Sequence, residues 1–86
     1  MSFNGGYKMS KYDWSNVPKE VKWIATDADG MVCGFSEKPI KKVNSLYEFW
    51  AGDEYDAGLN VVNGVSDFVE SYHGNWQDSL EKRPNE

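Results

Sequence analysis

Several features of the chain have residue types that suggest chemistry. Asp27-Ala28-Asp29-Gly30 places two carboxylates just ahead of a glycine, as in the middle of an EF-hand-type calcium loop. In that register the first and last ligands would fall on Ala25 and Ser36, and neither is a carboxylate. The segment therefore reads as turn chemistry. Cys33 is the only cysteine and His73, forty residues on, the only histidine. A thiol nucleophile needs a base beside it, and one Cys with one His cannot complete a tetrahedral zinc site. Cys33 thus reads as a half-buried strand residue, and His73, next to Gly74, as a turn residue. Asp53, Glu54 and Asp56 sit together in a Gly-flanked loop, but an acidic run is ordinarily a solvated face. No phosphate-cradling glycine loop, metalloprotease helix or nucleophile elbow is present. The expectation is a protein that is not an enzyme, with no cofactor and no metal.

The elements that must position these residues are few. The chain has 86 residues, enough for one small domain with a thin core. Aromatics make up 15% of it, with four Trp, and large rings are one way for a short chain to fill a core. A lone cysteine rules out an intramolecular disulfide. The polar N-terminus does not resemble a secretory signal, and no apolar run is long enough for a membrane span. A reduced, cytoplasmic compartment is the expected default.

Residues 1–13 read as a flexible arm, 14–84 as the domain and 85–86 as a tail. Asp13 or Ser15 caps a short turn near Pro18. Glu20–Thr26 reads as a strand with Val21, Trp23 and Ala25 on one face. Asp29-Gly30 is hairpin chemistry, and Met31–Phe35 is the return strand, stopped by Pro39. Lys41-Lys42 lead into the next element. Residues 44–52 fit a two-turn helix, with Ser45–Glu48 as capping box and Gly52 as stop, or a strand, and the residues themselves leave both open. Leu59–Gly64 reads as a short strand ending in an Asn-Gly turn. Val65–Tyr72 fits a strand, or a helix capped by Ser66. Trp76 and Leu80 share a helical spacing before Pro84. The fold class expected is α+β: a small, mostly antiparallel β-sheet or half-open barrel of three to five strands, with one or two short helical turns.

Charge is the most informative feature. The net charge is −5, which argues against direct nucleic-acid binding. Residues 1–42 are net +2, whereas residues 43–81 contain no Lys or Arg and eight acids. Such a field steers a protein onto a basic surface; it also serves solubility. Tyr47, Phe49, Trp50 and Tyr55 lie within nine residues, and an exposed ring beside acids suits a binding hot spot. The candidate partner-binding residues are Glu48, Trp50, Asp53, Glu54, Tyr55, Asp56, Asp67 and Glu70.

Three segments together resemble a pattern in short tailed-bacteriophage proteins. They are Trp23-Ile24-Ala25-x-Asp27-x-Asp29-Gly30, then Phe35-x-x-Lys38-Pro39, then Trp76-x-Asp78-Ser79-Leu80-x-x-Arg83-Pro84. Those proteins open with a Trp and a Pro-Glu-type turn, similar to Trp14 and Pro18-Lys19-Glu20 here. The resemblance covers about a third of the chain and nothing between Lys42 and Asn75. This chain departs at Met31-Val32-Cys33-Gly34, where relatives are often more aromatic, so a shared surface on that strand does not carry over. The resemblance implies a phage origin, a small β-rich domain and expression inside the host. It also implies a structural tail: Trp76 and Leu80 plug the open end of the sheet, and Arg83 pairs with Asp78 or Glu81.

The leading expectation is a non-enzymatic phage protein that binds and inhibits a host protein. Its foremost version is a counter-defence inhibitor, of anti-CRISPR or anti-restriction type, whose acidic face covers a nucleic-acid groove. The alternatives are a virion assembly accessory or self-associating module, possible as a homo-oligomer, and a protein that sequesters a small ligand.

Overall fold

The computed structural model describes residues 10–43, 48–52 and 61–84. Six strands lie in chain order: β1 Trp23–Thr26, β2 Val32–Phe35, β3 Ile40–Val43, β4 Glu48–Ala51, β5 Val61–Val62 and β6 Glu81–Lys82. They form an antiparallel four-stranded sheet, ordered β5-β2-β1-β6, and a two-stranded sheet of β3 and β4. Among the described residues the helical content is two single 3-10 turns, Val65–Asp67 and Trp76–Asp78. The mostly antiparallel β domain with short helical turns is what forms. No barrel closes among the described residues, and two separate sheets stand where a half-open barrel was the other expectation.

The hairpin between β1 and β2 forms where Asp29-Gly30 placed it. The Asp27 N–H donates to the Met31 carbonyl, the Gly30 N–H donates to the Asp27 carbonyl, and Asp29 Oδ1 accepts from the Met31 N–H. Gly30 has φ 91°, the left-handed conformation that lets this turn re-enter the ladder.

Both faces of the four-stranded sheet are covered, so its strands are apolar on successive residues. Ile24, Val32 and Val62 face a cluster with Tyr12, Trp14, Val17, Val21, Val65, Val69 and Tyr72. Trp23, Ala25, Cys33, Phe35 and Val61 face a second cluster with Trp50, Trp76 and Leu80. Val21 therefore does not share a face with Trp23 and Ala25, as expected above. Its N–H closes a turn onto the Pro18 carbonyl before the strand begins, and its side chain falls in the first cluster. β3 includes Lys41 and Lys42, which were expected to precede the element. β4 realises the strand reading of the segment before Gly52.

The packed domain reaches further back than expected. Tyr12, assigned to the arm, is buried; its hydroxyl donates to the Ser79 carbonyl and shares a hydrogen bond with Thr26 Oγ1. The Lys11 ammonium donates to the carbonyls of Asp78 and Leu80, and its backbone N–H to Glu81. Asp13 accepts from the Ser15 N–H, the capped turn expected there.

The C-terminal segment is the other half of this closure. β6 pairs with β1 at Trp23↔Lys82 and Ile24↔Glu81. Two further steps of that register set Ser79 opposite Thr26. There the Ser79 hydroxyl replaces backbone, accepting from the Thr26 N–H at 2.8 Å and donating to the Thr26 carbonyl at 3.0 Å. Arg83 does not pair with Asp78 or Glu81. Its guanidinium donates to the carbonyls of Val17, Pro18 and Val21 and stacks on Trp14 at 4.8 Å. Glu81 is committed elsewhere, accepting from Trp14 Nε1 and the Lys11 N–H.

The segment after β5 is neither strand nor α-helix. Gly64, at φ 86°, rather than Ser66, precedes the 3-10 turn, because the Asn63-Gly64 reversal has already set the chain direction. The second turn is capped by Asn75, whose side chain accepts from the Gln77 N–H.

Candidate functional site

The hairpin turn Asp27–Met31 organises one end of the molecule. On one side, β4 docks against it: the Ala28 N–H donates to the Glu48 carbonyl and Asp27 Oδ1 accepts from the Trp50 N–H at 2.8 Å. On the other side, Ser71 Oγ donates to the Gly30 carbonyl at 2.6 Å and holds the segment Phe68–His73 against the turn. Asp27 is thus an inter-sheet tie. Burial pushes its carboxyl above the usual carboxylate range, against the opposing effect of the Trp50 N–H.

Cys33 lies 4.0 Å from Asp27 Oδ2. Burial, followed by the nearby Asp27 and Asp29 charges, pushes its thiol up to about 11. A thiol so placed is about a thousandfold short of thiolate at pH 8, so it is a poor nucleophile. We expect native protein to react with iodoacetamide at pH 8 at least tenfold more slowly than urea-unfolded protein. Equal rates, followed by mass spectrometry, would contradict this placement.

The structure redistributes the candidate partner-binding residues. Trp50 is not an exposed hot spot. It is 8% exposed, meets Trp76 edge-on at 6.3 Å and donates Nε1–H to the Trp76 carbonyl. The ring is buried because β4 packs onto the sheet through the face that carries Trp50, against Ala25 and Phe35 in the second cluster. Glu48, Asp67 and Glu70 are exposed. Asp53, Glu54, Tyr55 and Asp56 lie outside the described residues, as does the Ser45 end of the capping box. The exposed acids are therefore split: Glu48 lies on the β4 side of the hairpin turn, Asp67 and Glu70 in the segment on the other side.

Sequence reasoning missed the apolar part of this end. Met31 is 55% exposed and Phe68 is 48% exposed. Phe68 follows Asp67 directly, and Met31 lines an open cleft of about 590 Å³ together with Ser66, Val69, Glu70 and His73. A second open cleft, of about 720 Å³, lies across the same segment, between Phe68–His73 and Ser10–Asp13. The available signal was Phe68 itself, a large apolar residue between acids; its spacing with Val65, Val69 and Tyr72 suits one helix face, but only a single 3-10 turn forms and Phe68 stays exposed.

Among the described residues no cluster of His, Cys, Asp and Glu converges on a metal-sized site, and no helix is long and apolar enough to cross a membrane. The geometry defines a small antiparallel β protein with a mixed acidic and apolar surface at one end. No family model, curated protein or solved structure matches the chain.

Proposed function

We propose that this chain is a non-enzymatic protein-binding module whose Met31–Phe68 end docks on a basic surface of another protein. The reading is carried by one observation: Met31 stands exposed at the hairpin turn and Phe68 on the segment that Ser71 pins to that turn, with the exposed acids Asp67 and Glu70 in the same segment. Apolar anchors supply affinity while rim charges supply steering and partner choice. Combined with the phage resemblance, the reading becomes an inhibitor of a host protein. Its most specific version is a counter-defence protein, of anti-CRISPR or anti-restriction type, whose acids occupy the groove where the host effector holds nucleic acid.

The test is affinity capture of the tagged protein from bacterial lysate at low and moderate salt, read by mass spectrometry. It is repeated with Asp67→Lys/Phe68→Ala/Glu70→Lys and with Asp53→Lys/Glu54→Lys/Asp56→Lys. A stoichiometric nucleic-acid-handling partner is expected from the parent chain. Its recovery should fall as salt rises, and the first variant should lose at least tenfold in affinity with an unchanged circular dichroism spectrum. Equal recovery by both variants would overturn the reading.

A further inference from the structure

The Asn-Gly turn after β5 has a chemistry that the surface described above does not use. Glycine follows a side-chain carbonyl at two turns, Asp29-Gly30 and Asn63-Gly64, and both glycines have positive φ. Such a pair can cyclise, because a glycine nitrogen with no Cβ beside it reaches the preceding side-chain carbonyl carbon with little hindrance. The two turns differ in what is free to react. The Gly30 N–H donates to the Asp27 carbonyl at 2.9 Å and Asp29 Oδ1 accepts from the Met31 N–H at 2.9 Å, so both reacting groups are already engaged. Asn63 and Gly64 are exposed, and neither the Asn63 side chain nor the Gly64 N–H has a hydrogen-bond partner among the described residues. Asn63 is also an amide, whose nitrogen leaves as ammonia, where Asp29 is a carboxylate.

We propose that Asn63 is a site of spontaneous deamidation in the folded protein, and that its isoaspartyl product loosens the sheet centre. The Gly64 nitrogen gives up its proton and bonds to Asn63 Cγ; the Cγ–Nδ2 bond breaks and ammonia departs with that proton. Water then opens the five-membered imide. Opening between Cγ and the Gly64 nitrogen leaves an aspartate. Opening at the main-chain carbonyl leaves an isoaspartate, whose chain runs through Cβ and Cγ. No oxidant or reductant takes part: asparagine plus water becomes the acid plus ammonia.

The isoaspartate adds one atom to the main chain where there is least slack. Val62 pairs with Gly34 in the ladder, and Val65 Cγ2 is the atom nearest to where a Gly34 Cβ would stand. Asn63 and Gly64 thus form a two-residue bridge with both ends set on the same residue, and Val65 at its far end is buried. Lengthening the bridge displaces Val65 or unpairs Val62. Both products also place a new carboxylate near Asp67, whose N–H donates to the Gly64 carbonyl. The modification stands whether or not the Met31–Phe68 end docks on a partner.

The experiment ages the full chain at physiological pH and temperature, folded and in urea, and maps it by peptide mass spectrometry with fragmentation that separates isoaspartate from aspartate. The other Asn-Gly pair, Asn4-Gly5, lies outside the described residues and falls in a separate peptide. In the folded chain the Asn63 peptide should gain about 1 Da, at a rate within about fivefold of that in urea. The purified isoaspartyl fraction should unfold at lower denaturant than fresh protein. Asn63→Asp, which adds the charge without the extra atom, should unfold near the parent midpoint. Asn63→Gln, whose ring would be six-membered, should keep its midpoint on ageing. A folded-state rate slower than that fivefold margin overturns the inference. So does an isoaspartyl fraction as stable as fresh protein, or an aged Asn63→Gln chain that loses stability as fast as the parent.

Discussion

Gly34→Ala will destabilise the protein severely. A Cβ at this position would sit 2.3 Å from Val65 Cγ2 and 3.0 Å from Val21 Cγ1. Val65 and Val21 are both fully buried, and a β-branched side chain has little freedom to turn aside. Gly34 is paired to Ile24 on one side and Val62 on the other, so the backbone cannot retreat without breaking the ladder at the sheet centre. Overpacking of this kind costs about 3 kcal/mol or more, against a total of about 4–13 kcal/mol for a chain of this length. Chemical denaturation with circular dichroism reads the loss. Val65→Ala alone should cost about 2 kcal/mol, yet combined with Gly34→Ala it should recover at least half of the glycine deficit. Strict additivity of the two would show that the clash is not what destabilises the alanine variant.

Ser79→Ala should cost about 3 kcal/mol, far more than a hydroxyl deletion on the surface. Ser79 has no exposed surface, and its Oγ is the partner of both the N–H and the carbonyl of Thr26. Deleting it leaves two buried backbone groups unpaired, each at about 1–3 kcal/mol. Tyr12→Phe removes a hydroxyl from the same network but leaves that backbone pair intact, so its cost should be near 1 kcal/mol. The two substitutions share Thr26 and Ser79 and should be non-additive in a double-mutant cycle. A Ser79→Ala cost below that of Tyr12→Phe would mean that water takes over the Thr26 edge.

The same residues explain what was legible in the sequence. The hairpin was readable because its determinants are local: Asp29 and Gly30 act within the turn itself. The tail was not, because each of its side chains has its partner far away in the chain. Ser79 bonds Thr26, Arg83 bonds carbonyls at Val17, Pro18 and Val21, and Glu81 holds Lys11 and Trp14. For an arginine, the nearest acids in sequence were the natural partners to expect, and the structure uses neither. Trp50 was misjudged for a similar reason. A strand alternation says which residues share a face but not which face meets Trp76.

The residues that resemble the phage pattern are thereby given structural work. Asp27 ties the two sheets, Trp76 and Leu80 pack in the second cluster, Ser79 extends the ladder and Arg83 caps the turn before β1. The surface proposed for partner binding depends instead on Met31, Asp67, Phe68 and Glu70, of which Met31 falls in the stretch where this chain departs from the pattern and the others in the stretch it does not cover.

The closure between Lys11–Tyr12 and Ser79–Arg83 also sets when the fold can exist during vectorial synthesis. The first packed residues are made long before their partners, and β1 lacks its outer strand until Lys82 has left the ribosome. Until Ser79 and Arg83 emerge, the Thr26 N–H and the carbonyls of Val17 and Val21 have only water to bond, and Trp14 has no cation over its ring. A nascent chain short of Arg83 therefore presents an open sheet edge and an unsealed core to proteases and chaperones, and the emergence of Ser79–Arg83 closes both.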